Sequence, residues 1–296
     1  MWAVNTIRIE LFDYVQYHRM TSEDSFKPGL YVVATPIGNL GDLSPRASLV
    51  LAAASIVAAE DTRTSGRILK LAGSKAKQVS LTEHNVMERA PGLIEAAKYS
   101  IVALVSDAGT PGVADPGARL VEAAHAGDVT VYAVPGASAL AAAISVSGFD
   151  GSDVHFIGFP PKQGAKRIAR FQEVAATAST FVFYESPNRL SESLADLATA
   201  LGDPEAVVCR ELTKIHEEVV RGRASELAVR FTDTRGECAV VVRSPEQATP
   251  SAEESEVIAY LQEMHRAGAQ RAGAASEAAK RFGIERRRAY ELWPDA

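Results

Sequence analysis

Six short apolar runs in this chain end in residues that can do chemistry. "LYVVA" (30–34) leads into Thr35, Pro36 and Ile37, and "SIVAA" (55–59) into Glu60, Asp61, Thr62 and Arg63. "IVALV" (101–105) leads into Ser106, Asp107, Ala108, Gly109, Thr110 and Pro111, and "VTVYAV" (129–134) into Pro135, Gly136, Ala137 and Ser138. Further along, "TFVFY" (180–184) is followed by Glu185 and Ser186, and "AVVCR" (206–210) by Glu211. Open α/β sheets bind ligands at the carboxyl ends of their strands, where such residues collect. Glycine-rich loops invite a phosphate reading. Here it fits poorly, because no G-x-G-x-x-G or G-K-[ST] pattern is present and Glu60, Asp61, Asp107 and Asp115 would repel an anion. Carboxylates beside a bare backbone suit a ligand with hydroxyls, an amine or a positive charge. S-adenosylmethionine has all three. Glycine would let the backbone approach it closely, and proline would hold the loops stiff before binding.

The elements that position these loops follow from periodicity. Near-continuous apolar strands alternate with helical stretches, which argues a mostly parallel sheet covered by helices. "SPRASLVLAAA" (44–54) predicts a helix with Ser44 as N-cap and Pro45 at its first position. "GARLVEAAHA" (117–126) predicts another, closed by Gly127. A second series begins near residue 153. Strands at 154–159, 180–184, 206–210, 217–222 and 238–243 are separated in part by helices at about 166–176, 188–201 and 224–231. Short connections between the last strands predict a mixed or antiparallel sheet. The expected layout is an extension over 1–28, α/β domains over 29–143 and 144–243, a polar linker over 244–255 and a helical segment over 256–296. In that last segment a turn at Gly283 separates two helices, the second bearing Arg286, Arg287 and Arg288, as in a helix-turn-helix.

Composition narrows the class. The chain has 296 residues, 47% of them apolar, and a net charge of -6. An acidic chain is no generic nucleic-acid coat, so any RNA contact must be a local basic patch. The two cysteines, Cys209 and Cys238, lack metal-ligand spacing and read as buried thiols of a reducing cytoplasm, with no metal site. No apolar run approaches the roughly 20 residues of a membrane helix. Residues 1–28 do not read as a signal peptide, since Arg8, Glu10 and Asp13 interrupt the apolar stretch.

"LYVVATPIGNLGDLSPRA", "AAEDTR", "SDAGTPGVADPG", "VPGASA" and "RELTK", in that order, resemble the ribosomal RNA small subunit methyltransferase I family, part of the tetrapyrrole-methylase-like (class III) S-adenosylmethionine methyltransferases. The resemblance runs from about Leu30 to Gly222. It implies two α/β domains with the cofactor cleft between them and a small C-terminal helical segment. It also implies a homodimer and transfer of a methyl group to the ribose 2'-hydroxyl of a cytidine, position 1402 in the usual numbering, in 16S rRNA of the small subunit. On matching positions, Pro36, Ile37, Ser106, Asp107, Ala108, Gly109, Thr110, Pro111, Ser138, Ala139 and Tyr184 would contact the cofactor. One departure stands out: the family usually has histidine where this chain has Asn188, in "YESPNR". Asparagine cannot shuttle a proton near neutral pH, so Asn188 reads as a positioning residue or a helix cap.

Methyl transfer to a hydroxyl is an in-line displacement, helped by a base near the oxygen. Glu60, Asp61, Glu185 and Glu211 are the candidate proton acceptors, with Lys214 tuning the charge. For each, a helix cap or surface ion pair is the alternative. Arg63 and Arg67 lie one helical turn apart, and Lys162, Lys166, Arg167 and Arg170 crowd the start of one helix. With Arg286 to Arg288 these are the candidate rRNA contacts, or else simply solvated faces. Two other functions compete: a methyltransferase for a small tetrapyrrole, and an RNA-binding assembly factor without turnover.

Overall fold

The structure, a computed structural model, describes residues 26–115, 117–245 and 252–294. The chain divides into two compact units, Met1–Pro245 and Glu246–Ala296.

The larger unit holds two five-stranded sheets. In the first, β1 (Gly29–Val33), β2 (Ile56–Ala59), β3 (Lys77–Ser80), β4 (Ile101–Val105) and β5 (Val131–Val134) run in the order β3-β2-β4-β1-β5, all parallel. Helices α1 (Pro45–Ala53) and α2 (Thr62–Leu71) cover one face, and α3 (Val86–Ala97) and α4 (Gly117–Ala126) the other. The central strand shows why its sequence is apolar throughout. Ile101, Ala103 and Val105 join the core with Val50, Leu51 and Ile68, while Val102 and Leu104 join the opposite core with Leu93, Ile94 and Leu120. A strand buried on both faces has no polar side to alternate with.

Local chemistry sets the helix ends. Ser44 accepts a bond from the Ala47 amide at 3.1 Å, and Pro45 opens α1, as its sequence predicts. The end of α4 differs from expectation. Asp128, not Gly127, takes the left-handed conformation, at φ 55°. Gly127 is needed for space, since a Cβ there would lie 2.7 Å from Ile94 Cγ2. Strand β3 and helix α3 carry little sequence signal. The strand is an edge whose residues are mostly exposed, and the helix contains Pro91.

The second sheet contains β6 (Val154–Phe156), β7 (Thr180–Glu185), β8 (Glu205–Arg210), β9 (Glu218–Arg223) and β10 (Cys238–Arg243) in the order β6-β7-β10-β8-β9. Only β6 and β7 pair in parallel, so this sheet is mixed. Helices α6 (Gly164–Ala175), α7 (Pro187–Leu201) and α8 (Ala224–Arg230) pack on one face through Phe171, Leu190, Leu194, Leu197 and Leu227. Helix α5 (Ala139–Ser147) packs on the other face, against β10 and β9. Ala143 therefore lies inside a helix of the second sheet, and the crossing between sheets falls at Ser138. Ile37, from the loop after β1, joins this same core with Leu212, Val182 and Val241. The two halves thus share apolar contacts beside the strand ends.

Of the expected N-terminal extension, residues 1–25 lie outside the described residues. Phe26 meets the Tyr31 ring edge-on at 6.0 Å, and Tyr31 Oη donates to the Lys27 carbonyl. The expected linker also lies partly outside them, at 246–251. Its remainder is structured: the Ser244 amide bonds the Ser179 carbonyl, and α9 begins at Ala252.

Among the described residues the smaller unit has three helices, α9 (Ala252–Arg266), α10 (Arg271–Phe282) and α11 (Arg286–Glu291), around Val257, Leu261, Ala275, Ala278, Ala289 and Trp293. Gly283 ends α10 at φ 67°, the turn its sequence predicts. No helix among the described residues is long and apolar enough to cross a membrane.

Candidate functional site

The carboxyl ends of β1, β2 and β4 converge on a cleft of about 430 Å³. One wall is the loop after β4. Thr35 and Gly109 exchange two backbone bonds, at 2.8 and 3.1 Å, which ties that loop to the end of β1. Ser106 Oγ donates to the Gly109 carbonyl at 3.1 Å, and Thr110 Oγ1 to the Ala137 carbonyl at 3.1 Å. Gly109 sits at φ 81°, where a side chain is strained, and a Cβ there would meet Ile37 Cγ2 at 3.3 Å. Asp115 staples the next turn by accepting from the Gly112 and Gly117 amides, each at 2.8 Å. The loop is therefore fixed by bonds within the protein before any ligand arrives.

Nine of the eleven residues matched to cofactor contact line this cleft: Ile37, Ser106, Asp107, Ala108, Gly109, Thr110, Ser138, Ala139 and Tyr184. Pro36 and Pro111 do not. The opposite wall comes from the second sheet: Phe159, Glu185, Ser186, Pro187, Cys209, Leu212, Glu237, Cys238 and Ala239. The sequence does not place Phe159, Cys209, Glu237 or Cys238 there, whereas Asp115, expected among the loop carboxylates, does line the cleft. Cys238 opens β10 and pairs with Arg210 at the end of β8, so antiparallel pairing alone brings them to the strand ends above the first sheet. Burial pushes both thiols up to about 12, which favours the protonated form.

The proposed proton acceptors separate clearly. Glu60 lines the cleft, and burial, then the negative charges of Asp107 and Asp115, raise its carboxyl above the usual range. Glu185 also lines the cleft, but its side chain is fully buried and engaged. It accepts from Ser193 Oγ at 2.6 Å and the Ser186 amide at 2.9 Å, and pairs with Arg189 at 3.3 Å. These bonds tie it to the first two turns of α7. Asp61 is the N-cap of α2, bonded to the Arg63 amide at 2.8 Å. The Arg63 side chain holds its carboxyl below the usual range. Glu211 pairs with Lys214 at 2.7 Å, and Lys214 also reaches Glu237 at 2.9 Å. Burial raises Glu211, but the Lys214 bond and the Glu237 amide outweigh it, and its carboxyl stays low. Asp61, Glu211 and Lys214 do not line the cleft.

Asn188 is not the helix cap. Ser186 occupies that position, Pro187 opens α7, and Asn188 sits exposed in the first turn. Among the basic candidates, Arg167 must be corrected. Its side chain is 0% exposed and bonds Asp196 at 2.8 Å and Glu192 at 2.7 Å. It touches no solvent and cannot meet a phosphate. The hydrophilic start of α6 concealed this, because the carboxylates that receive the guanidinium lie on α7. Arg170 is tied to Glu173 at 2.7 Å, and Arg63 to Asp61. Arg67, Lys162 and Lys166 are exposed. In the smaller unit Arg286 is exposed, Arg287 pairs with Glu291, and Arg288 with Glu254 and Glu291. No group of three or more His, Cys, Asp or Glu among the described residues is arranged to hold a metal ion.

The model of the tetrapyrrole (corrin/porphyrin) methylases matches residues 29–228. Ribosomal RNA small subunit methyltransferase I of Mycobacterium tuberculosis is 42% identical over 268 residues, covering 88% of this chain and 93% of that one. The protein of the same name from Mesorhizobium japonicum is 43% identical, covering 89% and 90%, and that of Streptococcus pyogenes 37%, covering 90% and 94%. Among solved structures, the methyltransferase CobJ superposes with a TM-score of 0.56 at 18% identity, over 74% of this chain and 95% of that one. Uroporphyrin-III C-methyltransferase from Thermus thermophilus, complexed with S-adenosyl homocysteine, gives 0.51 at 18% identity, over 73% and 97%. The structural likeness shows a shared fold of two α/β halves. The sequence likeness, sustained over nearly the whole chain, is closer: this chain belongs to the tetrapyrrole (corrin/porphyrin) methylases and, within them, to the ribosomal RNA small subunit methyltransferase I family.

Proposed function

We propose that this protein transfers a methyl group from S-adenosylmethionine to the ribose 2'-hydroxyl of a cytidine, position 1402, in 16S rRNA of the small ribosomal subunit. It is an S-adenosylmethionine-dependent methyltransferase. The observation that carries the reading is the cleft, where the loop after β4, with Gly109 at positive φ, carries Asp107 and Asp115 beside Glu60. Such a site suits a cation with hydroxyls and repels a phosphate. The residues therefore fit the cofactor. When bound, S-adenosylmethionine supplies a methyl group already activated on a sulfonium.

The protein's own residues do the rest. The loop Ser106–Thr110 and Ile37 set the position and exclude water. Glu60 accepts the proton of the attacking hydroxyl, since its raised carboxyl is a better base than an ordinary one. Exposed Lys162 and Lys166, with Arg67, Arg286 and Arg287, attract rRNA phosphates. The protein works in the cytoplasm, as a homodimer. Asn188 does not line the cleft, so its replacement of histidine removes no group from the reacting centre, which speaks against an inactive assembly factor.

The test incubates purified protein and methyl-labelled S-adenosylmethionine with small subunits from cells that lack the modification. Label mapping to a ribose 2'-oxygen of a decoding-centre cytidine is the expected result. Label on a base, or on no part of the subunit, overturns the reading.

A further inference from the structure

We infer that Phe159 is the stacking platform for the nucleobase of the nucleotide whose ribose enters the cleft. The inference rests on the rRNA reading above and deepens it. Phe159 lines the cleft yet is 59% exposed. Its ring meets Tyr184 edge-on, with centroids 5.8 Å apart, and Tyr184 in turn meets Phe156 at 4.9 Å. The cleft therefore opens past an aromatic ring whose edge contact is already made.

The loop that carries this ring is anchored from below. The Gly158 carbonyl accepts from the Tyr184 amide at 2.9 Å. Arg189 donates to the carbonyls of Pro160 and Pro161, at 3.3 and 3.1 Å. The buried Arg167 donates to those of Pro161 and Lys162, both at 3.4 Å. Three residues beyond the ring, Lys162 is exposed. One pinned loop thus presents an aromatic face and a positive charge. That pairing recognises a nucleotide taken out of its stack, through base stacking and phosphate attraction. If the nucleotide is drawn out of its helix to reach the cleft, as enzymes that act on a base draw theirs, the base leaves the RNA stack and needs a new partner.

The experiment uses the full-length protein and its Phe159→Ala, Phe159→Leu and Phe159→Trp variants. Three quantities are read: kcat/KM with unmethylated small subunits, subunit affinity by filter binding without cofactor, and S-adenosylmethionine affinity by calorimetry. Phe159→Ala and Phe159→Leu are expected to lose about 5- to 150-fold in kcat/KM and in subunit affinity, the range measured for single stacked bases. Phe159→Trp is expected to stay within about threefold of the parent, because its larger π face still stacks. Cofactor affinity and molecular mass by light scattering should not change. A leucine variant that matches the parent shows that apolar bulk suffices and overturns the platform. Weakened cofactor binding reassigns the ring to the cofactor site, and a changed mass reassigns it to a subunit contact. If the parent methylates subunits and Phe159→Ala does so equally well, the platform alone falls. If the parent leaves subunits unlabelled and unbound, the rRNA reading falls with it.

Discussion

Arg167 separates a structural from a nucleic-acid role, and its removal gives a calculable effect. The side chain is 0% exposed and holds Asp196, whose side chain is 21% exposed, and Glu192, which is 64% exposed. Burial alone would favour loss of its proton, but the bonds to Glu192 and Asp196 outweigh this and keep it charged. Arg167→Ala leaves the Asp196 carboxylate and the Lys162 carbonyl without this donor, while the Pro161 carbonyl keeps Arg189, and opens a void where the stem packed. Breaking a buried pair by removing one partner costs about 3–5 kcal/mol. The Glu192 arm is screened by solvent and adds little, so the lower part of that range applies, about 3–4 kcal/mol. For a folded unit of this size that lowers the melting midpoint by about 6–16 °C. Arg167→Lys should fall between, since it keeps the charge but loses the fork. The assay is thermal unfolding by circular dichroism, followed by subunit binding against salt concentration well below the variant's midpoint. The midpoint should drop, and the slope of log affinity against log salt should not move. An unchanged midpoint, with a slope flatter by about 0.7–0.9, would mean that Arg167 meets a phosphate and that the burial argument is wrong.

Three further outcomes follow from the same geometry. Lys162→Glu with Lys166→Glu should weaken subunit binding and flatten its salt slope by at least about 1.4, two phosphate contacts' worth, with the melting midpoint unmoved; an unaltered slope removes this face from the rRNA footprint. Gly109→Ala forces a side chain to φ 81° against Ile37, so it should lose about 1–2 kcal/mol of stability and most S-adenosylmethionine affinity, read by melting and calorimetry; intact affinity would show that the loop does not cradle the cofactor. Glu60 has a raised carboxyl in the fold, so its stabilising contribution is present below the ordinary carboxylate range and disappears as pH rises through its own pKa. Glu60→Gln should therefore melt higher than the parent at neutral pH without cofactor, lose that advantage in acid, and flatten the acidic limb of the activity profile. A variant with full turnover and an unchanged limb would remove Glu60 as the base.

Much of the first half was readable from local pattern. Strand β4 declared itself because both faces are buried, and Ser44 with Pro45 declared the start of α1 because a cap needs only three residues. Strand β3 and helix α3 were not readable, since an exposed edge strand has no apolar alternation and Pro91 breaks the helical signal. The wall of the cleft built by the loops after β1, β2 and β4 was legible for the same reason as β4: parallel strands end in loops, and each loop carries its own residues. Its far wall was not. Cys209, Glu237 and Cys238 are brought there by the pairing of β10 with β8, across a span that contains β9 and α8.

The charged residues show the division most sharply. Sequence alone determined which groups the chain owns, the glycine-rich loop after β4, and the acidic character that turns the cleft toward a cation. It could not say which charges are free. Asp61, Glu185 and Arg167 look equally available in one dimension, yet one caps a helix, one is held by Ser193 and Arg189, and one is buried between α6 and α7. A charge is neutralised by whatever lies within a few ångströms: for Glu185 the turn from β7 into α7 brings Ser186, Arg189 and Ser193 to it, and for Arg167 the packing of α6 on α7 brings Glu192 and Asp196. Only the tertiary structure left Glu60 facing the cleft and put Phe159 at its mouth.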